Sequence, residues 1–356
     1  MNIVGIGGGT GLPVLLRGLK QLRDRDADGA GDDRVTATAI VCVSDDGGSS
    51  GSLRQAFGIP AVGDLRNCLV ALSGGNPTLR DIFQYRLRGD FGLDGHSLGN
   101  LIVAALRARS GNLRRAIHLA SEFLDLQGHV LPCTEVSASL CAEFRDGDTA
   151  CGETQIAARR KPIRRVWLAP LRGASPQPSE IEPAPGVVDA ILAADAIVLG
   201  PGSLYTSVIP CLLPTGIADA IRDSAALKIL VCNLMTQPGE TDFYSAADHL
   251  RAVQNYLGPS GIHVCLLNSQ PVPPSVAAPY AAAGAKPVMT SAAEVEQLGV
   301  APVALDLLDL GEPEARHDPM KLARWVVALT RASQRARDLR FGEVRCFAAD
   351  AVPVLS

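Results

Sequence analysis

The sequence predicts an α/β fold: a doubly wound, mostly parallel sheet with an antiparallel β excursion in the middle of the chain. Three observations predict it. Short, almost wholly apolar runs recur at residues 3–6, 35–43, 196–199, 228–232 and 262–267, the pattern of strands buried on both faces. Helix-spaced segments alternate with them, which implies parallel strands joined by crossovers. The middle of the chain reads differently, with strand-like runs at 136–144 and 163–168 around the turn Asp146-Gly147-Asp148.

Each element follows from its residues. The strand at 3–6 ends in Gly7-Gly8-Gly9-Thr10-Gly11, and an apolar helix is expected over 12–22. Residues 24–33 are polar and Gly-rich, a surface loop. The strand at 35–43 leads into Ser44-Asp45-Asp46-Gly47-Gly48-Ser49-Ser50-Gly51, a string too flexible for an element interior. Asp64 reads as the N-cap of a helix carrying Leu65, Cys68, Leu69 and Leu72. The turn His96-Ser97-Leu98-Gly99-Asn100 leads into the apolar run 101–106. The antiparallel excursion should span about residues 130–170, and the proline-rich stretch 172–186 a surface connection. Alternation then resumes. The strand at 196–199 precedes Gly200-Pro201-Gly202-Ser203, and that at 228–232 runs into a polar set from Asn233 to Thr241. A helix over 242–257 and a final helix from Asp318-Pro319 to about 337 complete one large domain, 1–340, with a tail at 341–356.

Composition narrows the function. The chain has 356 residues, 47% of them hydrophobic and 4% aromatic, so aliphatic side chains must fill the core. Lys plus Arg is 33 against 37 Asp plus Glu, a net charge of −4. That excludes nucleic-acid binding by bulk charge. No apolar run is long enough for a membrane span, and the N-terminus shows no secretory signal, so a cytoplasmic protein is expected. Nine scattered cysteines without a C-x-x-C read as small buried thiols, not a zinc site or a disulfide framework.

In such sheets ligands bind beyond the carboxyl ends of the strands. Gly7, Gly8, Gly9, Thr10 and Gly11 let backbone N–H groups approach an anion at a helix start, although neither a G-x-G-x-x-G nor a P-loop frame fits. Gly200, Pro201, Gly202, Ser203, Thr206 and Ser207 form a neutral anion nest, with donors and no full charge. Asp45 and Asp46 can hold a ribose hydroxyl or a magnesium ion, or simply make a solvated turn. Asp64, Arg66 and Asn67 offer charge and amide contacts. Asn233, Thr236, Gln237, Glu240 and Thr241 are a denser polar set than a turn requires.

Together these strings, with Ser49 and Asn100 inside them, resemble the YvcK branch of the CofD superfamily, from residue 1 to about 329. The resemblance implies a Rossmann-like domain that binds a UDP-sugar such as UDP-N-acetylglucosamine and needs no obligatory cofactor. It implies a gluconeogenesis factor tied to cell shape and cell-wall synthesis, with cell-wall synthesis proteins and a second copy of the chain as partners. Tyr280 and Arg316 match segments associated with UDP-sugar contact; from their own surroundings they read as a packed ring and a surface ion pair. The alternative is a CofD-like transferase using a nucleoside-diphosphate-linked donor, with magnesium at Asp45 and Asp46. Three features depart from the family pattern: Pro60-Ala61-Val62, Cys211 and the long loop at 24–33.

Overall fold

The computed structural model describes residues 1–26, 34–89, 92–171 and 178–338. The expected tail at 341–356, the connection at 172–177 and the loop at 27–33 lie outside these residues. Seven strands form one sheet: β1 (Asn2–Gly7), β2 (Thr36–Val41), β3 (His129–Pro132), β7 (Ala196–Leu199), β8 (Leu227–Val231), β9 (Val264–Asn268) and β10 (Ala301–Leu305). Their order is β10-β9-β8-β7-β1-β2-β3, and every pair is parallel. The doubly wound prediction therefore holds.

The chain grows from β1 outward through β2 and β3, then returns to the other side of β1 and grows through β7 to β10. The reversal falls between β1 and β7, which pair with Ile3 opposite Ala196 and Ile6 opposite Leu199. Every residue of β7 and β8 is buried. That is why these strands read as unbroken apolar runs in the sequence.

Helix Leu12–Asp26 packs along helix Pro319–Asp338. The approach is close: a Cβ on Gly18 would collide with the carbonyl oxygen of Pro319. Asp318 caps the second helix as its Asp-Pro signature predicts, its Oδ1 accepting the Met320 N–H at 2.8 Å.

The antiparallel excursion is a three-stranded sheet, β5-β4-β6, made by β4 (Ala138–Phe144), β5 (Thr149–Cys151) and β6 (Ile163–Pro170). It begins later than the expected 130, because 129–132 is a parallel edge strand bonded to β2.

Four further expectations are corrected. The Gly-Gly-Ser-Ser string is not a loop throughout: helix Gly48–Phe57 starts inside it. It is held by the buried Arg54, whose guanidinium donates to the carbonyl of Ser44 at 2.9 Å and to Ser139 Oγ at 2.9 Å. The first helix extends past residue 22 to Asp26. The helix expected from 242 begins at Ala246, where Ser245 and Asp248 form a capping box. Cys141 and Cys151, opposite each other across β4 and β5, are joined in a disulfide rather than being free thiols. Cys42, Cys68, Cys133, Cys211, Cys232 and Cys265 are the buried thiols expected.

Candidate functional site

The loops after β1 and β7 meet because their strands are neighbours. Their backbones touch: a Cβ on Gly11 would overlap the carbonyl of Pro201. Gly9 sits at φ 63°, a conformation that favours glycine. Helix Leu12–Asp26 starts immediately beyond and points its unpaired N–H groups toward this junction.

A cleft of 390 Å³ opens there. Gly9, Thr10 and Gly11 form one wall, and Pro201, Gly202, Ser203 and Ser207 the next. Asn233, Thr236 and Gln237, after β8, also line it, as do Tyr280 and Arg316. Twelve of the residues singled out in the sequence thus line one cavity, at the place where open parallel sheets bind ligands.

The remaining candidates stand behind this lining. Gly7, Gly8 and Gly200 carry the loops out of the strands. Asp64 is not an N-cap, since helix Gly63–Leu72 is preceded by Val62. Its carboxylate instead accepts the Gly9 N–H. Asn67 Nδ2 donates to the Gly9 carbonyl at 3.2 Å. Arg66 is buried and donates to Asn67 Oδ1 at 2.7 Å and to Ser97 Oγ at 2.9 Å. Ser49 Oγ accepts from the Ser97 N–H at 3.3 Å and from Asn100 Nδ2 at 3.2 Å. Arg66, Asn67, Ser49 and Asn100 are thus a scaffold that fixes the first glycine loop.

The two aspartates divide. Asp46 Oδ1 accepts the backbone N–H of Thr154 at 3.0 Å and its hydroxyl at 2.9 Å, fastening helix Glu153–Arg159 to the main sheet. Asp45 Oδ1 accepts the Gly47 N–H at 2.8 Å. Among the described residues no three His, Cys, Asp or Glu side chains converge closely enough to hold a metal ion.

The second loop is not the neutral nest expected. Glu240 is buried beneath it. Its Oε1 accepts from Ser203 Oγ at 3.0 Å and Thr206 Oγ1 at 3.1 Å, and its Oε2 from the Tyr205 N–H at 3.3 Å. Burial raises this carboxyl's pKa, and those hydrogen bonds pull it back. Glu240 therefore builds the turn Leu204–Val208, a π-helical turn, and does not face ligand. Thr241 and Thr236 are also structural at their hydroxyls: Thr241 Oγ1 accepts the Gln237 N–H and Thr236 Oγ1 the Lys286 N–H, each at 2.9 Å. Beneath both loops lies Cys211, its thiol 3.5 Å from the Gly7 carbonyl and 3.3 Å from that of Ser207.

Two ionisable lining residues escaped sequence reasoning. Glu153 enters the cleft from the antiparallel lobe. Burial and the charges of Asp45, Glu240 and Asp64 raise its pKa to about 10, so it is protonated near neutrality. His317 follows Arg316, and burial lowers its pKa to about 4, leaving it neutral. His317 was adjacent to a chosen residue; Glu153 carries no local motif. Arg316 both lines the cleft and pairs with Glu314. The Tyr280 hydroxyl accepts the Ala315 N–H at 3.2 Å, which ties the two sides of this wall together.

The fold is that of a Rossmann-like protein, with a candidate ligand cleft at its switch point. The chain belongs to the CofD family: the family model described as 2-phospho-L-lactate transferase CofD matches residues 3–308. Within it the chain is similar to the gluconeogenesis factors of Halalkalibacterium halodurans and Bacillus subtilis. The first is 42% identical over 92% of this chain and 95% of the relative, the second 41% identical over 91% and 96%. A crystal structure of a Bacillus halodurans protein superposes with a TM-score of 0.84 at 42% identity, covering 92% of this chain and 99% of that one. A second crystal structure, described as a member of the UPF0052 family, gives 0.84 at 41% identity with the same coverage. Among the described residues no single helix is long and apolar enough to cross a membrane.

Proposed function

We propose that the cleft binds a uridine-diphosphate sugar, UDP-N-acetylglucosamine or a close relative, and that the protein is a cytoplasmic gluconeogenesis factor that links this ligand to cell shape and cell-wall synthesis. The observation that carries the reading is the convergence of two glycine loops and one helix start on a single cavity that Arg316 and Tyr280 also line. Backbone donors suit a diphosphate, a guanidinium supplies its positive charge, and the tyrosine offers a flat surface for a base. Cell-wall synthesis proteins and a second copy of the chain are the partners that go with this role. A thermal-shift screen tests it, using UDP-sugars, guanosine diphosphate, NAD and a deazaflavin, each with and without magnesium. A ligand at a hundred times its Kd stabilises by about 2.7 kcal/mol. A UDP-sugar giving the largest shift supports the reading; a shift with NAD or deazaflavin alone contradicts it.

A second reading is transfer from a nucleoside-diphosphate-linked donor with magnesium at Asp45. It is favoured by the description of the family whose model matches residues 3–308. Sustained magnesium-dependent consumption of such a donor, abolished by Asp45→Asn, distinguishes it.

A further inference from the structure

A second cavity lies between the antiparallel lobe and helix Ala246–Leu257. At 530 Å³ it is larger than the cleft, and no residue lines both. Its walls carry three guanidiniums, those of Arg145, Arg164 and Arg251, and the paired rings of Tyr205 and Tyr244. We propose that this cavity binds a small phosphorylated molecule, its phosphoryl group held by these guanidiniums and by a hydroxyl of the tyrosine pair.

The charge balance supports an anion. Arg145 has no acidic partner among the described residues. Arg164 shares Glu143 with Arg165, each at 2.7 Å, so one carboxylate answers two cations. Arg251 is paired with Asp248 Oδ1 at 2.9 Å, but the other oxygen of Asp248 is occupied by the N–H and hydroxyl of Ser245. The site as built therefore carries more positive charge than its acids neutralise, in a concave space of the size small ligands occupy. Arginine's planar fork matches phosphoryl oxygens two at a time.

The tyrosines add a neutral donor. The hydroxyls of Tyr205 and Tyr244 are 3.0 Å apart, so one proton lies between them and the other remains to be donated. Tyr205 is 4% exposed, and burial raises its pKa, which keeps it a phenol. Its ring is fixed edge-on to Tyr244 with centroids 6.3 Å apart. The donor is thus held in place before any guest arrives.

The test is calorimetric titration with inorganic phosphate at constant ionic strength, using the full chain, the same chain saturated with UDP, and the Arg145→Ala variant. Arg145 is exposed, so its removal leaves the melting temperature unchanged. The proposal expects saturable binding that persists with UDP present and weakens at least tenfold in Arg145→Ala. Displacement by UDP that disappears in Arg316→Ala, a residue of the cleft alone, would place the phosphate in the cleft and overturn it, as would unsaturable uptake or unchanged affinity in Arg145→Ala. Should UDP itself not bind, the reading of the cleft fails while the Arg145→Ala comparison still decides this one.

Discussion

Glu240 is the residue whose replacement reports most on how the site is built. Its carboxylate accepts three hydrogen bonds from the second loop, at 3.0, 3.1 and 3.3 Å, in a position only 8% exposed. In Glu240→Ala, Ser203 keeps a partner, because its hydroxyl also donates to Gln237 Oε1 at 2.8 Å. The Thr206 hydroxyl and the Tyr205 N–H lose theirs. A buried donor left unpaired costs about 1–3 kcal/mol. Two such donors, offset by release from the desolvation that raises the Glu240 pKa, give an expected loss of about 2–4 kcal/mol. Glu240→Gln keeps one carbonyl oxygen for the two hydroxyls and opposes an NH₂ to the Tyr205 N–H, so its loss should be smaller, about 1–2 kcal/mol. Urea unfolding at pH 7 measures both. The reasoning is refuted if Glu240→Ala lies within about 0.5 kcal/mol of the parent, or if the two variants are equal, since acceptor geometry would then be irrelevant.

Three further outcomes follow from the same geometry. The Asp64 pKa is raised from 3.8 to about 6, mainly by burial, so its stabilising share is complete below pH 4 and is lost as pH rises through 6. Asp64→Asn, which keeps an acceptor for the Gly9 N–H, should therefore gain on the parent by about 1–2 kcal/mol between pH 4 and pH 7, the full shift being discounted for partial exposure; a pH-independent difference in urea unfolding argues against the raised pKa. Glu153 is protonated at neutral pH, its pKa raised to about 10, so Glu153→Gln should leave UDP-N-acetylglucosamine affinity at pH 7 within twofold, whereas several-fold tighter binding would show that a negative charge had been removed. Gly11→Val should lower both melting temperature and nucleotide binding, because its Cβ meets the Pro201 backbone; normal behaviour in both would mean the loops are not in contact.

What could be read in the sequence was what local chemistry dictates. Strands β1, β2, β7, β8 and β9 are buried on both sides, so their aliphatic runs announce them without reference to the rest of the fold. Placing the loops at the carboxyl ends of those strands then put Gly9 to Gly11 and Gly202 to Ser207 on one edge. The failures are tertiary. Helix Gly48–Phe57 begins with Gly-Ser-Ser-Gly, which has little helical preference; Arg54 holds it through the Ser44 carbonyl and Ser139, and the latter lies 85 residues away. The same distance effect hid Glu240 under the second loop and brought Glu153 into the cleft from another sheet. Arg66 and Asn67 could be read from the sequence as ligand contacts, or Arg66 as solvated; Arg66 instead bonds Asn67 and Ser97, and Asn67 the Gly9 carbonyl, which holds that loop still.

The central claim is that one cleft, formed by the loops after β1 and β7 and faced by Tyr280 and Arg316, binds a UDP-sugar. Calorimetric titration of UDP-N-acetylglucosamine into the parent, Tyr280→Ala and Arg316→Ala proteins addresses it directly. The account predicts saturable binding to the parent and at least tenfold weaker binding to each variant, about 1.4 kcal/mol, with little change in melting temperature. Unchanged affinity in both variants, or no binding to the parent, would contradict it.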